Sequence, residues 1–172
     1  RMNVFAVGDL HLSTSSDKPM EVFGEQWENH FDKIRASWLA SVGAEDWVLI
    51  PGDISWAMTL EEARADLHLL SDLPGNVVIL RGNHDYWWSS ISQVRAALPP
   101  SVRALQNDAV DAGGVVFAGT RGWVNPNEPG RTEQDRKIYL REVGRMRLSL
   151  QAAQKKAAGR PIIVLTHFPP FG

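Results

Sequence analysis

Residues 76–85 read NVVILRGNHD, an apolar run that is followed, after Arg81, by glycine, asparagine, histidine and aspartate. The run from Asn76 to Leu80 has the length and the branched side chains of a buried strand. The polar residues that follow, Gly82 to Asp85, would then form a loop at the carboxyl end of that strand. In open α/β sheets, ligands bind outside the carboxyl ends of the strands. The stretch therefore predicts a parallel sheet with a functional rim.

Two earlier segments repeat this arrangement. A strand over 4–8 precedes Asp9-Leu10-His11, and a strand over 46–50 precedes Pro51-Gly52-Asp53. Helices are predicted between the strands: one has apolar residues at helical spacing, and the next begins at Thr59 with Glu62 as a capping box. The apolar face of the first helix consists of Trp27, Phe31, Ile34, Trp38 and Val42. The β-α-β-α-β order brings three polar loops to one edge of one sheet.

The second half of the chain has a different pattern. After a short helix over 90–98, short apolar segments at 102–105, 109–111 and 115–118 are joined by Asn-Asp and Gly-Gly, which favours an antiparallel meander. A long helix over 132–158 and a last strand over 161–165 follow, and that strand ends at Thr166-His167. Because no linker separates the two halves, we predict a single domain over 1–172.

Composition excludes several classes of protein. The chain has 172 residues, a net charge of −2 and no cysteine, so disulfides, thiolate zinc sites and cysteine nucleophiles are excluded. The near-neutral charge gives no general attraction to nucleic acid. No apolar run approaches the ~18 residues of a membrane span, and the start of the chain lacks the features of a secretory signal. We expect a cytoplasmic protein with no membrane partner.

Metal-capable side chains follow four predicted strands. Imidazole nitrogen, carboxylate oxygen and amide oxygen together suit Mn, Fe, Zn or Co. In the Asp-x-His pair, residues i and i+2 of an extended segment point the same way. The candidates are Asp9, His11, Asp53, Asn83, His84, Asp85 and His167. By contrast, His30 and His68 are interpreted as helix-flank residues.

These blocks resemble the first four signature blocks of the calcineurin-like metallophosphoesterases. The resemblance extends from residue 9 to residue 167, and Gly82-Asn83-His84-Asp85 is its most specific part. The segments 52–56 and 85–88 are similar to a bacterial branch of predicted phosphohydrolases. The fold that the resemblance implies is an α/β fold of two packed mixed β-sheets flanked by helices, a four-layer sandwich.

The resemblance also implies roles for the candidate residues. Asp9 and His11 would bind one divalent ion, Asn83 and His167 a second, and Asp53 would bridge the two. His84 would be the general acid above the leaving group, oriented by Asp85. The implied cofactors are two divalent ions from among Mn, Fe, Zn and Co, with Mn favoured. The family pattern closes with a Gly-His-x-His block that is not in this sequence, so we expect the domain to lack its C-terminal metal-binding block.

The expected activity is metal-dependent hydrolysis of a phosphomonoester or phosphodiester by a metal-bridging hydroxide. The expected partner is a small phosphorylated molecule or nucleotide, and the oligomeric state is left open. Arg121 would bind a substrate phosphate and Trp123 or Trp87 would stack on a ring; the alternative is a packed loop with an exposed arginine. A nuclease, or a non-catalytic binding module of the same fold, remains as an alternative function.

Overall fold

A computed structural model describes residues 2–14 and 29–170 of the chain. The chain divides into two units, Arg1–Ala104 and Leu105–Gly172, and each unit is taken in turn. The single domain predicted from the sequence stays a prediction. Trp27, at the start of the predicted face of the first helix, lies outside the described residues.

The first unit alternates strands and helices. In chain order its described elements are β1 (Val4–Ala6), α1 (His30–Ser41), β2 (Trp47–Ile50), α2 (Leu60–Ser71), β3 (Asn76–Ile79), α3 (Ile91–Ala97) and β4 (Val102–Ala104). The four strands form a parallel sheet in the order β1-β2-β3-β4. Ala6 pairs with Leu49, and Ile50 pairs with Ile79. The carboxyl ends of the first three strands therefore lie at the same edge, as the sequence predicts.

Local sequence signals explain where the helices lie. Thr59 caps α2 and forms the predicted capping box with Glu62, whose carboxylate accepts the Thr59 N–H. On α1, Trp38 is buried and donates its indole N–H to the carbonyl of Pro74, while Phe31 and Ile34 are half-buried. The helices cover the sheet because their apolar residues join the strand residues in one core.

The second unit is a smaller sheet covered by one long helix. Its described elements are β5 (Val110–Asp111), β6 (Val116–Thr120), α4 (Glu133–Ala157) and β7 (Ile162–Thr166). All five residues of β6 are buried; β6 pairs antiparallel with β5 and parallel with β7. Thr132 caps α4 in a second capping box, with Asp135. Alanines on the helix, Ala153 and Ala157, pack against the sheet.

Two fold predictions require correction. The resemblance implies two mixed sheets, but the described strands of the first sheet are all parallel, as the β-α-β order predicts. The segment 102–105 was expected to open an antiparallel meander, but β4 joins the first sheet, parallel to β3. The physical reason is α3, because a helical connection returns the chain in the same direction, whereas only a tight turn reverses it. The antiparallel part of the meander is limited to β5 and β6.

The length and hydropathy of the helices test whether any of them could span a membrane. None of the helices within residues 2–14 and 29–170 has the length and apolar character that crossing a bilayer requires.

Candidate metal centre

The loops after β1, β2 and β3 bring their polar side chains together within the first unit. A carboxylate oxygen of Asp9 lies within 4.8 Å of a carboxylate oxygen of Asp53. The Nε2 atom of His11 lies 3.6 Å from Asp53 Oδ2. Asp53 is buried, His11 is half-buried and Asp9 is exposed. The three side chains therefore form a cluster that is open on the Asp9 side.

Three residues of this cluster have left-handed backbone. The φ angles of Asp9, His11 and Asp53 are 55°, 44° and 53°. This conformation is uncommon outside glycine, although aspartate and histidine adopt it more often than most residues. Two hydrogen bonds hold it: His11 N–H donates to the Asp53 carbonyl at 3.0 Å, and Leu12 N–H donates to Ile54 at 2.9 Å. The loops after β1 and β2 thus fix each other.

The loop after β3 approaches Asp53 closely. The backbone N–H of His84 donates to Asp53 Oδ1 at 2.9 Å. A side chain at Gly82 would place its Cβ 2.1 Å from Asp53 Oδ1 and 2.2 Å from the Asp53 nitrogen. Only glycine allows this approach. Asn83 lies between these two residues in the same loop and is half-buried.

Asp85 is fully buried and joins two loops. Its Oδ1 accepts from the N–H groups of Ile54 and Ser55 and from the Trp87 indole, and its Oδ2 accepts from Gly82 N–H at 2.7 Å. Burial raises the pKa of this carboxyl, and the four donors act in the opposite direction. These contacts hold the loops that carry Asp53 and His84. The predicted orientation of the His84 ring by Asp85 is not among these hydrogen bonds and stays a prediction.

Aromatic rings line the same cluster. Trp56 stacks on His11, with centroids 4.7 Å apart and planes at 22°, and its ring centroid lies 5.0 Å from that of His84. Tyr86 meets His84 edge to face at 6.2 Å. Trp87, which the sequence analysis offered as a ring-stacking residue, is buried in the core together with Trp88.

Two residues near the cluster were not predicted as part of the site. The Nε2–H of His30 donates to the Leu10 carbonyl at 2.8 Å, between Asp9 and His11. Asp66 is buried on α2 and accepts from the Ser55 hydroxyl and from Thr14 N–H. Neither residue lies in one of the sequence blocks, because each contacts a group that only folding brings near it. For Asp66, the available sequence signal was a single aspartate on the apolar face of α2.

His167, Arg121 and Trp123 belong to the second unit. His167 follows β7, and its backbone N–H donates to the Arg121 carbonyl at 3.1 Å. The Arg121 guanidinium lies 4.6 Å from the Trp123 ring and 3.3 Å from a carboxylate oxygen of Glu142. The predicted metal-ligand role of His167 and the substrate contacts of Arg121 and Trp123 stay predictions.

Glu142 organises that part of the second unit. It is buried on α4 and accepts from the Thr120 hydroxyl at 2.5 Å and from Arg145 at 3.0 Å, in addition to Arg121. The Trp123 indole donates to Asp135 at 2.9 Å, in the first turn of the same helix. The guanidinium of Arg121 is thus partly neutralised by a buried carboxylate.

The donor set of the first unit fits a divalent cation. Asp9 and Asp53 offer carboxylate oxygens and His11 offers an imidazole nitrogen, and this mixture suits Mn, Fe, Zn and Co. The proximity of two carboxylates, with a histidine beside them, favours a positive ion among them.

Three comparisons relate the chain to known proteins. A family model described as calcineurin-like phosphoesterase matches residues 2–172. The Gene 66 protein of Mycobacterium phage L5 is 32% identical over 83 residues, which are 48% of this chain and 40% of that protein. The chain therefore spans less than half the length of that relative. A structure of AQ665, a protein of unknown function from Aquifex aeolicus, covers 96% of this chain, and this chain covers 90% of it, at 16% identity and a TM-score of 0.47.

Proposed function

Because this chain belongs to the calcineurin-like phosphoesterase family, we propose that it hydrolyses a phosphomonoester or phosphodiester at a binuclear metal site. Membership implies metal-dependent hydrolysis of phosphate esters. The substrate class that we propose is a small phosphorylated molecule or nucleotide.

The observation that carries the proposal is the position of Asp53. One of its carboxylate oxygens faces His11 of the loop after β1, and the other accepts from the backbone of His84 after β3. Asp53 thus lies between the two loops that would each contribute ligands to one ion. A carboxylate at this point is the group that two neighbouring cations require between them.

The proposed ligands are Asp9, His11, Asp53 and Asn83, with His167 as a further ligand. Divalent cations in such sites activate water near neutral pH and neutralise charge on the phosphoryl oxygens. We favour manganese, and iron, zinc and cobalt are the other ions that suit these donors. The neutral Asn83 amide adds no charge, so it leaves the ion beside it more electrophilic.

His84 is the proposed proton donor. An imidazole has an ordinary pKa near 6.5 and can protonate a departing alkoxide at neutral pH. The backbone of His84 is fixed by its hydrogen bond to Asp53, and its ring contacts the rings of Trp56 and Tyr86. These contacts would hold the ring beside the leaving group. In this proposal Arg121 and Trp123 also contact the substrate.

The test is hydrolysis of bis-p-nitrophenyl phosphate with added Mn²⁺, comparing the wild type with Asp53→Asn. We expect turnover to fall at least about 100-fold in the variant, because a loss of about 3 kcal/mol of transition-state stabilisation is sufficient. Bound Mn²⁺, measured by elemental analysis after dialysis, should fall in parallel. Asp72→Asn, an exposed aspartate at the end of α2, is the matched control.

Either of two results would contradict the proposal. One is wild-type turnover in Asp53→Asn; the other is no turnover by a folded wild-type protein that binds no Mn²⁺, which would favour the binding-module alternative. Activity that is greatest on DNA and falls steeply with salt would favour the nuclease alternative.

A further inference from the structure

Tyr86 is the exposed member of an aromatic run. Its side chain is 53% exposed, whereas Trp87 and Trp88, which follow it, are 1% and 4% exposed and belong to the core. A large ring left in solvent beside a site is a candidate contact surface, because the hydrophobic effect favours covering it. Core packing therefore explains Trp87 and Trp88 but not Tyr86.

The exposed ring is adjacent to the proposed proton donor. Tyr86 meets the His84 ring edge to face, at 89° and a centroid distance of 6.2 Å. Trp56 contacts His84 separately, at 5.0 Å. Trp56 is half-buried and is held by its stacking on His11. The imidazole is thus flanked by two aromatic side chains, both in the first unit.

The backbone around Tyr86 is fixed. Tyr86 N–H donates to the His84 carbonyl at 2.8 Å, and Trp88 N–H donates to the Asp85 carbonyl at 3.2 Å. Asp85 and the two tryptophans anchor this turn in the core. An aromatic side chain on a rigid turn loses little conformational entropy when a second ring stacks on it.

We propose that Tyr86, with Trp56, forms a subsite for a planar aromatic ring in the leaving group of the ester. The inference rests on the proposed function, in which His84 protonates that leaving group. The leaving-group oxygen then lies at the imidazole, and the remainder of the leaving group extends over the rings beside it. The ligand chemistry is a flat π-system, which a nucleoside or a small aryl alcohol can provide.

The experiment compares pairs of phosphate esters that differ in the ring. The pairs are adenosine 5′-monophosphate with ribose 5-phosphate, and benzyl phosphate with cyclohexylmethyl phosphate. Each compound is measured as a competitor of bis-p-nitrophenyl phosphate hydrolysis with Mn²⁺, so that a ring effect registers whether or not the competitor is cleaved. The variants are Tyr86→Ala and Tyr86→Phe. Leu39→Ala, which truncates an exposed apolar residue on α1, is the matched control.

We expect the ring-bearing member of a pair to compete about 10-fold better than its partner, which is within the range found for base stacking on aromatic side chains. Tyr86→Ala should remove that difference, while Tyr86→Phe and Leu39→Ala should keep it. A difference confined to the nucleotide pair would identify a nucleoside leaving group, and one confined to the benzyl pair a small aryl group.

Equal competition within both pairs, or a difference that survives Tyr86→Ala, would overturn the subsite. If Asp53→Asn still abolishes hydrolysis of the diester, the proposed function stands and the subsite alone has failed. If the wild type does not hydrolyse the diester, both fall together.

Discussion

At the scale of single residues, the cluster in the first unit carries local backbone strain. A left-handed conformation costs a non-glycine residue roughly 1–2 kcal/mol, and Asp9, His11 and Asp53 all adopt it. Such strain persists where surrounding contacts over-determine the backbone, and it is concentrated at functional sites. The surrounding contacts are present: the loops after β1 and β2 exchange backbone hydrogen bonds. The strained positions coincide with three of the residues that the family resemblance marks as ligands.

We expect His30 to position Asp9 and His11, the two candidate ligands on either side of Leu10. Because it donates to the Leu10 carbonyl, His30→Leu should weaken Co²⁺ binding by about 10- to 100-fold, the effect of removing a group that orients ligands. His30→Gln, whose amide can donate, should recover much of the affinity. The measurement is titration with Co²⁺ followed by visible absorption. His68→Leu on α2 is the control; an equal loss in all three variants would argue against positioning.

At the scale of elements, two glycines should respond in opposite ways to the same substitution. Gly82→Ala should destabilise the protein by about 1–3 kcal/mol, since the new Cβ would overlap Asp53. Gly144→Ala should stabilise it by about 0.5–1 kcal/mol, because Gly144 lies within α4 with open space around it. Urea unfolding measures both. A stable Gly82→Ala protein would show that the loop after β3 does not approach Asp53 so closely.

An ion pair ties β5 to the end of α4. Arg160 contacts both carboxylate oxygens of Asp111 at 2.7 Å, and this pairing lowers the pKa of Asp111 from 3.8 to about 2. A carboxyl with a lowered pKa in the folded state stabilises that state above its unfolded pKa, and the contribution disappears as pH falls through the folded pKa.

Asp111→Asn should therefore lower the melting temperature at pH 6 and have a much smaller effect near pH 2. The difference between wild type and variant should decline between about pH 4 and pH 2, as the carboxylate of the wild type takes up its proton. Thermal unfolding at a series of pH values gives this difference. Asp72→Asn is the control, and a difference that stays constant down to pH 2 would exclude the ion pair as its cause.

At the scale of the whole molecule, each unit has a core of its own. The larger cluster contains leucine, isoleucine, valine and tryptophan around the parallel sheet, and a smaller cluster of alanines with Val116 lies between α4 and β6 of the second unit, which also buries Phe117 and Leu165. The strained cluster lies against the larger core, where Leu10 and Ile54 are fully buried beside it.

Metal should stabilise the folded chain. A ligand present at 100 times its dissociation constant adds about 2.7 kcal/mol. For a protein of this length, that corresponds to a rise in melting temperature of about 5–10 °C. Adding Mn²⁺ to EDTA-treated protein should produce this rise, measured by calorimetry, and Asp53→Asn should not show it. An equal rise in both proteins would place the stabilising ion elsewhere.

The sequence by itself predicted where the strands and helices of the described residues lie, and it pointed to candidate residues at the carboxyl ends of β1, β2 and β3. Short apolar runs that end in polar residues predict strands, and the capping box at Thr59 predicts the start of a helix. Both signals involve residues that are close together in the sequence, so they can be recognised without the tertiary structure. The blocks around Asp9, Asp53 and Asn83 follow the strand ends, and their clustering follows from a parallel sheet. Family membership confirms the resemblance that these blocks carry.

Only the tertiary structure decided which strand pairs with which and what each buried polar group contacts. The partner of β4 depends on the path of the chain after α3, and local turn residues do not specify that path. The contact between His30 and the Leu10 carbonyl joins residues 20 positions apart, and the four donors to Asp85 come from two separate loops. Such contacts form between groups that only folding brings together, so no periodicity or motif in the sequence predicts them.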